Sequence, residues 1–134
     1  MKLKVGLDIH GVCDENKEFF MEFTKMLVNA GHEVHLLTGP SKIKAEREAI
    51  KLGLSYTHFF SITDFYVNSG EYVVFDENGD PHMDEYLWDR AKADYCLREG
   101  IQLHLDDSDS YGYFFKTPYC RYYSKNKRKH YVKA

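Results

Sequence analysis

The chain is poor in residues that staple or break a fold, with three cysteines, three prolines and one tryptophan in 134 residues. Cys13, Cys96 and Cys120 are widely spaced and include no CxxC pair, which argues against a disulfide framework or a thiolate zinc site. All three are expected to be reduced packing residues. No apolar run approaches the ~20 residues needed to cross a bilayer. The opening MKLKVGLD reaches an acid before a signal-length apolar segment forms, so a soluble, cytoplasmic protein with no membrane partner is expected. No charge of one sign dominates either: the formal net charge is −3, giving no bulk electrostatic reason to expect nucleic acid. Internal repeats and low-complexity linkers are also lacking.

What the chain does hold is apolar bulk. With 43% hydrophobic and 16% aromatic residues, it can fill the core of one domain over residues 1–134. Leu3, Val5 and Leu7 alternate into Asp8, predicting a strand; Phe19, Phe20, Phe23, Met26, Leu27 and Ala30 then recur at helical spacing up to Gly31. Residues 33–37 predict a second strand stopping at Thr38-Gly39, and Pro40-Ser41 open a charged helix that Gly53 stops. A third apolar run, 58–62, leads to Thr63-Asp64, after which Tyr72, Val73, Val74 and Phe75 precede Asn78-Gly79, a hairpin turn signal.

A helix over 85–97 ends at Gly100, and Ile101, Leu103 and Leu105 alternate into Asp106-Asp107. An aromatic segment over 111–115 and Pro118 precede a last strand around 120–123. This order predicts the α/β class, with a mainly parallel, Rossmann-like sheet flanked by helices and a short β-hairpin insertion over about residues 64–84. Residues from about 125 to 134 predict a basic tail.

The carboxyl ends of parallel strands share one edge, where ligands bind. Asp8, Thr38, Asp106 and Asp107 are therefore expected to meet. Carboxylates held together repel one another unless a cation neutralises them. Oxygen-only donors favour a hard ion, and Mg²⁺ keeps waters and substrate phosphate oxygens in its shell. Asp8 then suits a nucleophile attacking phosphorus, with Thr38 and a lysine on the phosphoryl oxygens.

Four short motifs in this order, Asp8-Ile9-His10-Gly11-Val12, Leu36-Leu37-Thr38-Gly39, Lys92 and Leu105-Asp106-Asp107-Ser108, together resemble the haloacid dehalogenase (HAD) superfamily, whose members are mostly Mg²⁺-dependent phosphatases. The resemblance spans nearly the whole chain. It implies a HAD-like core and a phosphohydrolase acting on a phosphate monoester through an aspartyl-phosphate on Asp8. It further implies catalytic roles for Asp8, His10, Thr38 and Lys92, and a Mg²⁺ site made by Asp8, the His10 backbone carbonyl, Asp106 and Asp107.

The sequence departs from the family at His10, where its phosphatases usually carry an aspartate that protonates the leaving oxygen. Imidazole, with a reference pKa of ~6.5, suits acid-base work near neutral pH. The alternative is a catalytically impaired HAD-like domain that binds metal, phosphate or a partner without efficient turnover. A short insertion in place of the family's large cap implies an open site, able to take a large phosphorylated substrate.

Other features have plainer readings. Lys44 and Lys51 compete with Lys92 for the lysine role, but Lys92 lies one helix before the Asp106-Asp107 strand. A receiver domain also clusters acids, a threonine and a lysine, but its acidic pair does not fall on a late strand after the lysine. His32 and His35 point to opposite faces of a strand and are not a metal pair. Residues 76–80 look like a Ca²⁺ loop, yet Pro81 and Leu87 replace the glycine and glutamate such a loop needs. Asp109 is expected to cap the following helix. Trp88 and residues 111–115 are expected in the core. Basic residues 125–129 with nearby tyrosines have the character of a nucleic-acid contact, though a solvated tail is the favoured reading.

Overall fold

The structure is a computed structural model that describes residues 1–123; the predicted basic tail lies outside them. Strand β1 (Lys4–Asp8) is followed by a 3₁₀ turn (Cys13–Glu15) and helix α1 (Lys17–Asn29). Then come β2 (Glu33–Thr38), α2 (Lys42–Lys51), β3 (His58–Ser61) and α3 (Ile62–Asn68). A small hairpin, β4 (Val74–Phe75) and β5 (Pro81–His82), leads to α4 (Glu85–Glu99), β6 (Leu103–Asp106), α5 (Asp109–Gly112) and β7 (Tyr119–Arg121).

Five strands form one sheet in the order β3-β2-β1-β6-β7, and every pairing in it is parallel. The α/β class with a Rossmann-like parallel sheet is thus as expected. From β1 the chain winds outward through β2 and β3, then returns to add β6 and β7 on the other side. The order reverses between β1 and β6, and a crevice opens at such a switch point, at the carboxyl ends of the strands.

Alternation along the strands separates two apolar layers. Val5, Leu7, Val34 and Leu36 join Phe20 of α1 and Ala45 and Ala49 of α2. Leu37 and Phe60 face the opposite way, towards Ile62 and Tyr66 of α3 and Ala91, Tyr95 and Cys96 of α4. Residues in phase with Leu37, including Gly6, Asp8, His104 and Asp106, therefore belong to the α4 side.

The third apolar run ends earlier than expected. Strand β3 stops at Ser61 and α3 begins at once, because Ser61 Oγ accepts the Asp64 backbone N–H at 3.1 Å, and Ile62 and Tyr66, four apart, share the buried face. The insertion is therefore a helix followed by a hairpin. Asn78-Gly79 makes the expected turn, with Gly79 at φ +81°. Asp76 Oδ1 accepts the Asn78 and Asp80 N–H groups at 2.9 and 3.0 Å, so these acids brace a turn. Cys13 and Cys96 are buried, but Cys120 is exposed. Expected packing fails there because β7 is the edge strand of the sheet and Cys120 is left uncovered, although its register partner Leu105 packs on the core.

Central strand β1 leaves no room above Gly6. A Cβ there would lie 2.6 Å from His104 Nδ1 and 3.4 Å from Ile101 Cγ2, and His104 is fully buried. Gly6→Ala is expected to destabilise the fold by about 1–3 kcal/mol through overpacking, read as a lower urea midpoint at unchanged m-value.

Candidate functional site

At the switch point, β1 ends in Asp8 and β6 in Asp106, both on the α4 side of the sheet. Helix α4 presents Lys92 between the buried residues Ala91 and Cys96, and Lys92 is itself 1% exposed. Its Nζ donates to Asp8 Oδ1 at 3.1 Å and to Asp106 Oδ2 at 2.8 Å, and lies 5.0 Å from the centroid of the Tyr111 ring. The rival lysines lie elsewhere: Lys44 pairs with Asp80 at 3.9 Å on the surface, and Lys51 is exposed.

These charges set one another. Burial acts against the Lys92 ammonium, but Asp8 and Asp106 outweigh it and hold its pKa above the ordinary lysine range. Burial raises the Asp8 carboxyl well above the usual carboxylate range; the charges of Asp106 and Asp107 add to this, while Lys92 pulls against it. Burial also opposes ionisation of Asp106, yet Lys92 and the hydrogen bond from His104 bring its pKa below that range. His104 Nε2 lies 2.9 Å from Asp106 Oδ2, and burial keeps this imidazole below its ordinary pKa. Burial pushes the Cys96 thiol up to about 12 and Cys13 higher still, so neither is a thiolate nucleophile near neutral pH.

Above this group opens a cavity of about 420 Å³ whose lining includes Asp8, His10, Gly11, Asp107 and Lys92. The loop after β2 contributes Gly39 and Pro40, whose carbonyls accept from Thr63 Oγ1 at 2.6 Å and Ser61 Oγ at 2.7 Å. Residues at the start of the insertion thus brace the cavity wall. Across from them, Ser108 Oγ accepts the Tyr111 N–H at 3.2 Å and caps α5. Asp109, expected as that cap, instead accepts from Arg121 Nε at 2.7 Å.

The expected site residues divide. Asp8, His10, Lys92 and Asp107 line the cavity. Asp106 lies beneath it, with Oδ2 taken by Lys92 and His104 and Oδ1 accepting the Ser108 N–H at 3.2 Å. Thr38 ends β2 in phase with Val34 and Leu36, is fully buried and does not line the cavity. Its Oγ1 has no hydrogen-bond partner among the described residues. His10 Nε2 hydrogen-bonds Glu48 of α2.

Trp88 and Tyr111, expected in the core, both line the cavity, with Trp88 Nε1 donating to the Tyr111 hydroxyl at 2.8 Å. The sequence reading also missed Asp14, Glu15 and Glu48. Trp88, Lys92 and Cys96 recur every fourth residue; that spacing was the signal placing Lys92 on a buried helical face and Trp88 one turn nearer its start.

One carboxylate oxygen from each of Asp8, Asp106 and Asp107 lies within 4.8 Å of the others. Those three acids and Lys92 carry a combined charge of −2 when all are ionised, which suits a divalent cation. The donors are all oxygen, and Asp8 and Asp107 reach the cavity. This arrangement fits a hard ion whose remaining positions are filled by water or substrate oxygens.

Replacing Lys92 by Met leaves Asp8 and Asp106 buried without their shared counter-ion. The expected cost is about 3–5 kcal/mol near neutral pH. The stabilisation from a depressed carboxyl such as Asp106 is present above its unfolded value, ~3.9, and is lost as pH falls through the folded one. Without Lys92 the carboxyls rise and take protons in mild acid, so the deficit should be smaller at pH 5 than at pH 7.5. Urea denaturation at both values checks this, and equal deficits would count against the counter-ion role. The chain matches no family model, curated protein or solved structure.

Proposed function

We propose that this protein is a Mg²⁺-dependent, HAD-like phosphohydrolase that cleaves a phosphate monoester using Asp8 as nucleophile. The observation that carries the reading is Lys92, fully buried and bonded to both Asp8 and Asp106 at the floor of a polar cavity. A buried ammonium there favours the ionised form of Asp8 and attracts an anionic substrate.

In this reading an Asp8 oxygen attacks phosphorus, the phosphorus–oxygen ester bond breaks, and the alcohol leaves with a proton supplied at its oxygen. Water then attacks the aspartyl-phosphate, regenerating the Asp8 carboxylate and releasing phosphate. Lys92 bonds Asp8 Oδ1, and Asp8 borders the cavity from which a substrate would approach. His10 lines the cavity and is the acid-base group, oriented by Glu48. Thr38, buried on the other layer and outside the cavity lining, takes no part in this reading. Asp8 and Asp107 would hold Mg²⁺ from the cavity side, with Asp106 fixing Lys92 beneath them. When bound, the ion would supply neutralisation of phosphoryl charge.

Hydrolysis of a chromogenic phosphomonoester by the full chain, with Mg²⁺ and with chelator, tests the reading. Turnover should require the metal and vanish in Asp8→Asn; turnover surviving that change would remove the mechanism. His10→Ala should lower kcat by about 10²–10⁴-fold, the usual contribution of acid-base catalysis, while calorimetric Mg²⁺ affinity stays near that of the unmodified chain. A folded, Mg²⁺-binding protein with no turnover on any monoester would instead favour a binding domain.

A further inference from the structure

A second group of metal-ligating side chains lies at the other end of the sheet. Glu33 opens β2, His58 opens β3, and His35 stands on β2 as the register partner of His58. One carboxylate oxygen of Glu33 and one ring nitrogen from each histidine lie within 4.8 Å of one another. At ~3.3 Å rise per residue, His35 sits about 10 Å along β2 from Thr38, so the group is separate from the Asp8 site.

We propose that Glu33, His35 and His58 form a binding site for a borderline divalent transition-metal ion, with Zn²⁺ the preferred occupant. Two imidazoles and one carboxylate are a donor set that suits zinc and its neighbours better than Mg²⁺. Ligand atoms ~2.1 Å from a tetrahedral ion lie about 3.4 Å apart. Here Glu33 Oε1 is 2.8 Å from His35 Nε2 and 3.9 Å from His58 Nδ1, distances that bracket that value. Small side-chain shifts bring both to it.

The three ligands differ in freedom. His35 is 1% exposed, and its Nδ1 lies 2.7 Å from the Tyr95 hydroxyl on α4. Loading the ion selects the tautomer that donates Nδ1–H to Tyr95 and turns the Nε2 lone pair to the metal, the outer-shell arrangement typical of ligating histidines. Burial holds the His35 pKa below the ordinary imidazole range, and the His35 hydrogen bond holds Glu33 below the usual carboxylate range.

The side chain of His58 is 46% exposed, leaving room for entry and for the ring to tilt out of its parallel stack on His35, where the centroids are 4.1 Å apart. Binding exchanges its 2.8 Å contact with Thr57 Oγ1 for the ion. The occupied site would tie edge strand β3 to β2 and, through Tyr95, to α4.

Calorimetric titration of the full chain with Zn²⁺ in saturating Mg²⁺, together with Co²⁺ absorption, tests this. The tightest Zn²⁺ equivalent should weaken at least tenfold in His58→Ala and in Glu33→Gln, two partly exposed positions where folding is checked by circular dichroism. It should weaken about 10–100-fold in Tyr95→Phe, the usual effect of losing an outer-shell partner, and remain in Asp107→Asn. Co²⁺ should give tetrahedral-type visible bands that are lost in His58→Ala. No Zn²⁺ binding by the unmodified chain, or binding that survives both His58→Ala and Glu33→Gln, would overturn the proposal. Loss of that binding in Asp107→Asn would also overturn it, by placing the ion at the other edge.

Discussion

The ammonium of Lys92 is the group on which the carboxyl edge of this fold depends. Two strand ends deliver carboxylates into a region closed off by α4, and such a pair is unfavourable without a cation between them. Lys92 supplies that cation from the helix that covers the switch point, bonded to both acids. A buried ion group of this kind is weak evidence for net stability, because desolvation opposes the Coulomb gain. Within it the two carboxyls differ in proton affinity: burial raises Asp8 against the pull of Lys92, whereas Lys92 and His104 together bring Asp106 below the usual range.

That divergence follows from what each acid touches. Asp106 accepts hydrogen bonds from Lys92, His104 and the Ser108 backbone, which stabilise its charge. Asp8 accepts from Lys92 and borders the cavity. One acid is built into the floor and the other is presented to whatever enters. The walls are held by equally local bonds, Ser61 and Thr63 to the loop after β2 on one side and Ser108 to the start of α5 on the other. The amino end of the same sheet carries a different chemistry, imidazole with one carboxylate, and the two ends are joined by the strands between them and by α4, which carries both Lys92 and Tyr95.

The parallel sheet was legible because alternation into a strand-ending acid or glycine repeated several times, a pattern that short connections turn into βα units. Helix α3 was not, since its start depends on a single serine hydroxyl and its sequence continues an apolar strand run without a break. The acids braced across the Asn78-Gly79 turn were correctly read as a hairpin. The role of Trp88 was missed because an aromatic at helical spacing reads as core, and here the same ring both packs on the core and walls the cavity.

By itself the sequence determined the order of elements and the residue types gathered at one sheet edge, because strand period and chain connectivity are local properties. Only the tertiary structure decided which of those residues reach the cavity. Lys92 meets Asp8 across 84 positions, Asp106 is roofed over, Thr38 turns to the other layer, and His35 finds His58 on the neighbouring strand. Each outcome depends on which sheet face a side chain occupies and which helix covers it, a relation between distant segments that sequence spacing does not encode.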